Sequence, residues 1–89
     1  MSNVFIAFQT NEETRGIIDA IVQDNPNVII NQQPAMVKLD APGSLTIRRE
    51  TVEDKIGRAF DLQELHVHLI TLSGHISETD DEFTLSWAH

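Results

Sequence analysis

Met36-Val37-Lys38-Leu39-Asp40-Ala41-Pro42-Gly43-Ser44-Leu45-Thr46-Ile47-Arg48 is the stretch on which the fold turns. Val37 and Leu39 alternate with Lys38 and Asp40, and Leu45 and Ile47 alternate with Thr46 and Arg48. Such period-two alternation makes two half-buried strands. Between them, Ala41-Pro42-Gly43 sets proline and glycine where a type II turn takes them. A parallel crossover needs about a dozen residues or more, so a connection this short implies mostly antiparallel sheets.

Upstream, Val4-Phe5-Ile6-Ala7-Phe8 reads as a strand with Val4, Ile6 and Phe8 on one face. Thr10 and Glu13 have capping-box spacing, and Thr14, Ile17, Ile18, Ile21 and Val22 follow at helical intervals. Gly16 costs that helix about 1 kcal/mol relative to alanine, and nothing local accounts for it. The helix is expected to stop at Asn25-Pro26. Val28-Ile29-Ile30 reads as a buried strand.

Downstream, Thr51 is expected to open a second helix with Val52, Ile56 and Ala59 on one side. Asp61-Leu62-Gln63-Glu64 repeats the capping-box pattern for one more turn. A strand over about 65–72, a turn at Ser73-Gly74 and a last strand Phe83-Thr84-Leu85-Ser86-Trp87 complete the chain, with Phe83, Leu85 and Trp87 on one face. The expected fold is a single α+β domain over residues 1–89, in tandem β-α-β-β halves with mostly antiparallel sheets and two or three helices.

Composition narrows the function. At 89 residues and 10.0 kDa there is room for one core. Apolar runs are far too short for a membrane span, and no basic stretch precedes Val4 as a signal peptide would require. No cysteine is present, which excludes disulfides, thiol catalysis and cysteinyl metal sites and points to the cytoplasm. Fourteen acids against six bases give a net charge of −8, a surface that repels nucleic acid. The densest acidic run, Glu78 to Glu82, reads as a solvated loop.

Little resembles catalytic chemistry. There is no G-x-S-x-G elbow and no HExxH, and the four glycines are isolated, so no phosphate-cradling loop exists. His66 and His68 are the exception. Two apart on a strand, both imidazoles would face one zinc or iron, with His75 or an acid from Glu78 to Glu82 as a third ligand. On the same strand Leu65, Val67 and Leu69 share a core face, leaving His66, His68, Ile70 and Leu72 on the other. That second face is polar in its first half and apolar in its second, which marks either a sheet buried on both sides or a contact patch for another protein. On the patch reading, Leu72 faces outward and Leu72→Asp leaves the domain folded.

Four segments in order, Asn25-Pro26-Asn27-Val28, Val37 to Gly43, Gly57-Arg58-Ala59-Phe60-Asp61-Leu62-Gln63-Glu64-Leu65 and Leu69-Ile70-Thr71-Leu72-Ser73-Gly74, carry a family likeness. The sequence resembles the small regulatory (effector or coupling) components of bacterial multicomponent monooxygenases over roughly Phe5 to Trp87. It is most similar to those of phenol hydroxylases and more distantly to methane monooxygenase component B. The resemblance implies a cofactor-free, non-catalytic protein that docks on a diiron hydroxylase and makes oxygen activation productive. An NADH-dependent reductase carrying flavin and an iron–sulfur cluster would supply electrons. It also implies that His68, Ile70, Thr71 and Leu72, with Ser73 ahead of Gly74, form the partner-binding stretch. The methane relatives have smaller, polar residues there and a long N-terminal tail whose role is not carried over. The alternatives are a metal-binding domain using His66 and His68, and a small-molecule regulatory domain with an effector pocket between the halves.

Overall fold

The structure, a computed structural model, describes residues 3–87. Strand β1 (Asn3–Gln9) leads into helix α1 (Glu12–Asp24), followed by β2 (Ile29–Gln32), β3 (Met36–Pro42) and β4 (Ser44–Arg48). Helix α2 (Arg49–Ile56), a 3₁₀ turn (Leu62–Glu64) and the single-turn helix α3 (Leu65–His68) come next. Strands β5 (Leu69–Ser73), β6 (His75–Glu78) and β7 (Glu82–Ser86) close the chain.

Two sheets form, one in the order β2-β3-β1-β5 and the other β4-β7-β6, and every pairing is antiparallel. The α+β class and the antiparallel sheets are as the sequence implies. The two halves do not fold separately, however: β5 from the second half pairs with β1 of the first. Strand β6, a single apolar residue between His75 and Ser77, carries too little pattern to be seen in the sequence. The chain steps directly from one sheet to the other at Gly43 and at Gly74, and returns between these two steps through the helical segment that links β4 to β5. Gly74 has φ +135, and a Cβ there would stand 3.0 Å from a Val4 methyl. Only glycine suits that corner.

Val4, Ile6 and Phe8 of β1, Val37 and Leu39 of β3, Leu45 and Ile47 of β4, and Phe83 and Leu85 of β7 are all buried, as their alternation requires. Helix α1 adds Ile17, Ala20 and Ile21 to the same core and packs on α2 and β4. Its start lies one residue later than the Thr10 reading. Asn11 is the cap: its Oδ1 accepts from the Thr14 N–H at 3.0 Å, and Thr14 Oγ1 accepts from the Asn11 N–H at 3.0 Å. Thr10 lies before the helix, its N–H donating to Ala35 O at 3.3 Å. At the far end Asn25 ends the helix as expected. Its Nδ2 donates to Ile21 O and Thr46 O, and its Oδ1 accepts from the Thr46 N–H. One amide thus joins α1 to β4.

Three further expectations are corrected. Val28-Ile29-Ile30 is not a buried strand, because β2 is an edge strand paired only with β3, and both isoleucines are exposed. Helix α2 begins at Arg49, two residues before Thr51, and left-handed Gly57 stops it before Ala59, which is exposed. Trp87 lies beyond β7 and is partly exposed, its indole N–H donating to Asn3 O at 2.9 Å. Residues 78–81 are exposed, in keeping with a solvated run, and the turn is hydrogen-bonded, with Thr79 Oγ1 accepting from the Asp81 and Glu82 N–H groups. Asp81 also takes the Arg49 side chain and, through its carbonyl, the Arg49 N–H, so the turn fastens the start of α2.

Candidate functional site

The candidate stretch grows out of the capping box at Asp61. Asp61 Oδ1 accepts from the Gln63 N–H at 2.9 Å, and Glu64 Oε2 accepts from the Asp61 N–H at 3.1 Å, as the sequence pattern demands. That backbone bond, together with Arg58 Nη2 at 3.3 Å from Glu64 Oε1, holds the Glu64 carboxyl below its usual pKa.

The box launches helical backbone that runs on through His68, so residues 65–72 are not one strand. The deciding pattern is Leu62, Leu65 and Leu69, spaced at three and four residues. The first two are buried and the third packs against the core. Val67, assigned to the core face by a two-residue period, is instead 71% exposed.

Strand β5 itself carries a bulge. Leu72 stands opposite Ile6 and Thr71 opposite Ala7, but Phe8 is opposite Leu69, so Ile70 is the extra residue. The bulge breaks alternation. Leu69 and Leu72 turn to the core, while Ile70, 46% exposed, and Thr71 both face solvent. The half-apolar face of His68, Ile70 and Leu72 therefore does not exist as one surface. Leu72 is half-buried on the core side, and Ser73, opposite Phe5, is half-buried on the outer side of the sheet.

The two histidines part company as well. On a helical turn they point to different elements. His66 Nε2 lies 3.1 Å from Glu78 Oε1 on β6, with its ring edge-on to Phe83. His68 turns to α1: its Nε2 is 3.0 Å from Glu13 Oε2, and Asn11 Nδ2 lies 3.3 Å from its Nδ1. Among the described residues no three His, Cys, Asp or Glu side chains gather as metal ligands. The shared face on which the metal reading rested is absent. Among the described residues, buried side chains from both halves join in one hydrophobic cluster. A surface cleft of about 310 Å³ lies between α1 and α2, edged by Glu12, Glu13, Lys55 and Arg58. Sequence reasoning missed Asn11 and Glu13 as partners of His68, for they lie 57 and 55 residues away.

Residues 2–86, a span that takes in every element from β1 to β7, match the model of the MmoB/DmpM family. The chain belongs to the MmoB/DmpM family. Among its relatives is the stimulatory component DmpM of phenol 2-monooxygenase from Pseudomonas sp. (strain CF600), 49% identical over 86 residues. That alignment covers 97% of this chain and 96% of the relative. Of solved structures, a chain from a phenol hydroxylase–regulatory protein complex superposes with TM-score 0.93 at 41% identity, covering 98% of this chain and all of that one. Regulatory protein B of soluble methane monooxygenase superposes with TM-score 0.76 at 18% identity, over 94% of this chain and 64% of that one. The MmoB/DmpM fold is thus shared well beyond recognisable sequence. Among the described residues no helix is long and apolar enough to cross a membrane.

Proposed function

We propose that this chain is the regulatory component of a multicomponent phenol or related aromatic monooxygenase, acting in the cytoplasm. It binds the diiron hydroxylase, performs no chemistry and brings no cofactor of its own. Binding promotes productive oxygen activation and turnover, with electrons delivered by an NADH-dependent flavin and iron–sulfur reductase. The observation that carries the reading is the superposition over nearly the whole chain on a component of a phenol hydroxylase–regulatory protein complex.

The bulge in β5 supports a docking surface centred on Ile70 and Thr71. An isoleucine half-exposed on an edge strand has apolar area left to bury, and about 1 kcal/mol follows from covering the rest. His68 and Leu72 flank the pair from behind, one fastened to α1 and the other seated in the core, and Ser73 follows on the outer face of the sheet. The acidic surface steers encounter with a basic region of the hydroxylase. To activate its partner the protein must bind the active arrangement more tightly than the resting one, since equal affinity shifts nothing.

The test is phenol hydroxylation by purified hydroxylase and reductase, titrated with this protein. Product formed per NADH is expected to rise and to saturate near stoichiometric addition. No rise, in an assay that responds to its cognate small component, refutes the reading for that hydroxylase.

A further inference from the structure

The His68 side chain is only 12% exposed, and its surroundings decide where its proton sits. Asn11 is the key. Its Oδ1 is committed as the cap of α1, accepting from the Thr14 N–H, so the atom it turns to His68 is the amide nitrogen. An amide nitrogen only donates. His68 Nδ1, 3.3 Å away, must therefore offer a lone pair, which places the ring proton on Nε2. There it is donated to Glu13 Oε2 at 3.0 Å. Protonation of both nitrogens would set two donors face to face at Asn11.

This clasp joins the first turn of α1 to the last residue of α3, immediately before Leu69 and the bulged Ile70. Helix α3 needs it. At four residues with no side-chain cap bond, it is too short to hold its own shape. Resting on the docking proposal above, the geometry points to His68 as a positioning residue, held as the Nε2–H tautomer by Asn11 and Glu13 so that Ile70 and Thr71 leave α3 at the angle the hydroxylase accepts. Asn11 and Glu13 thereby join the site without touching the partner.

Nitrogen-15 NMR of the free protein reads the tautomer directly, and the titration above reads its consequence. In the wild type Nδ1 should show the shift of an unprotonated ring nitrogen and Nε2 that of a protonated one. Asn11→Asp keeps a cap of equal rank but faces His68 with an acceptor. Helicity should be retained and Nδ1 should take a proton, the ring staying clasped between two acceptors, so this variant tests the proton's place and leaves the clasp intact. Glu13→Leu, at a carboxylate 62% exposed and so of little risk to folding, breaks the clasp and should raise the concentration for half-maximal stimulation about tenfold, whereas Glu13→Gln, which still accepts from Nε2–H, should restore it.

A protonated Nδ1 in the wild type overturns the tautomer. Unchanged half-stimulation in Glu13→Leu, or failure of Glu13→Gln to rescue, overturns the positioning role. Should the wild type stimulate nothing, the positioning role falls with the docking proposal, and the tautomer stands or falls on the NMR alone.

Discussion

Gly16→Ala sets two effects of opposite sign against each other. In an isolated helix the change gains about 1 kcal/mol, since glycine is the poorest helix former after proline. Here a Cβ on Gly16 would lie 2.5 Å from Ile56 Cγ2, with Ile56 Cβ at 3.6 Å and Cα at 3.7 Å behind it. Carbon atoms rest at about 3.5–4.0 Å, so the first of these contacts is short by about 1 Å. The methyl cannot swing clear, because a β-branched side chain in a helix has one strongly preferred rotamer. Either Ile56 leaves that rotamer or α1 and α2 separate. Overpacking of this kind costs about 1–3 kcal/mol, so the net effect should be a destabilisation of about 1 kcal/mol. Urea unfolding followed by circular dichroism should show a lower midpoint at unchanged slope. In an Ile56→Ala background the obstacle is gone, and the same substitution should stabilise by about 1 kcal/mol. Stabilisation by Gly16→Ala alone, or no reversal of sign in the cycle, would refute the close approach of the two helices.

Asn25→Ala removes three hydrogen bonds and strands the N–H and carbonyl of Thr46. A loss of about 2–4 kcal/mol is expected, seen as a fall in Tm of roughly 10–20 °C by calorimetry. Ile70→Asp and Leu72→Asp should separate surface from core. The first should leave Tm within about 3 °C and weaken half-maximal stimulation by a factor of about 30 or more. The second puts a charge beside Ile6 and should unfold much of the chain at 25 °C. Glu64 gives a pH signature. Its carboxyl is held low by the Asp61 N–H first and Arg58 second, so its contribution is present above the ordinary glutamate pKa of 4.5 and lost as pH falls through the lower folded value. Glu64→Gln should flatten that acid limb in stability measured from pH 6 to pH 3 without adding a second transition, and an unchanged limb would count against the bond.

What the sequence discloses depends on how far away the deciding partner lies. The alternations of Val37 with Leu39 and Leu45 with Ile47 are settled by adjacent residues, and the structure buries all four. The Asp61 capping box is equally local and forms as written. Where a reading failed, two patterns competed for the same residues or the arbiter was distant. Leu65, Val67 and Leu69 satisfy a two-residue period, yet Leu62, Leu65 and Leu69 satisfy a helical one. The capping box upstream decides between them in favour of the helical one. Gly16 appeared wasteful because its reason, Ile56, sits on another helix.

The docking stretch shows the same limit at the point where it matters for function. Strict alternation from His68 forces Ile70 and Leu72 onto one face, and no local rule says otherwise. The bulge is a property of the pairing with β1: Ala7 stands opposite Thr71 and Phe8 opposite Leu69, about 60 residues away in the chain. Both Phe8 and Ile6 are fully buried, so β1 cannot shift its register to suit β5. Strand β5 must instead seat Leu69 against one and Leu72 against the other, three residues apart where a regular strand would offer two or four. Expelling Ile70 is how that mismatch is resolved. The outward turn of Ile70 and Thr71 is thus imposed by the packing demands of two leucines on a rigid neighbour.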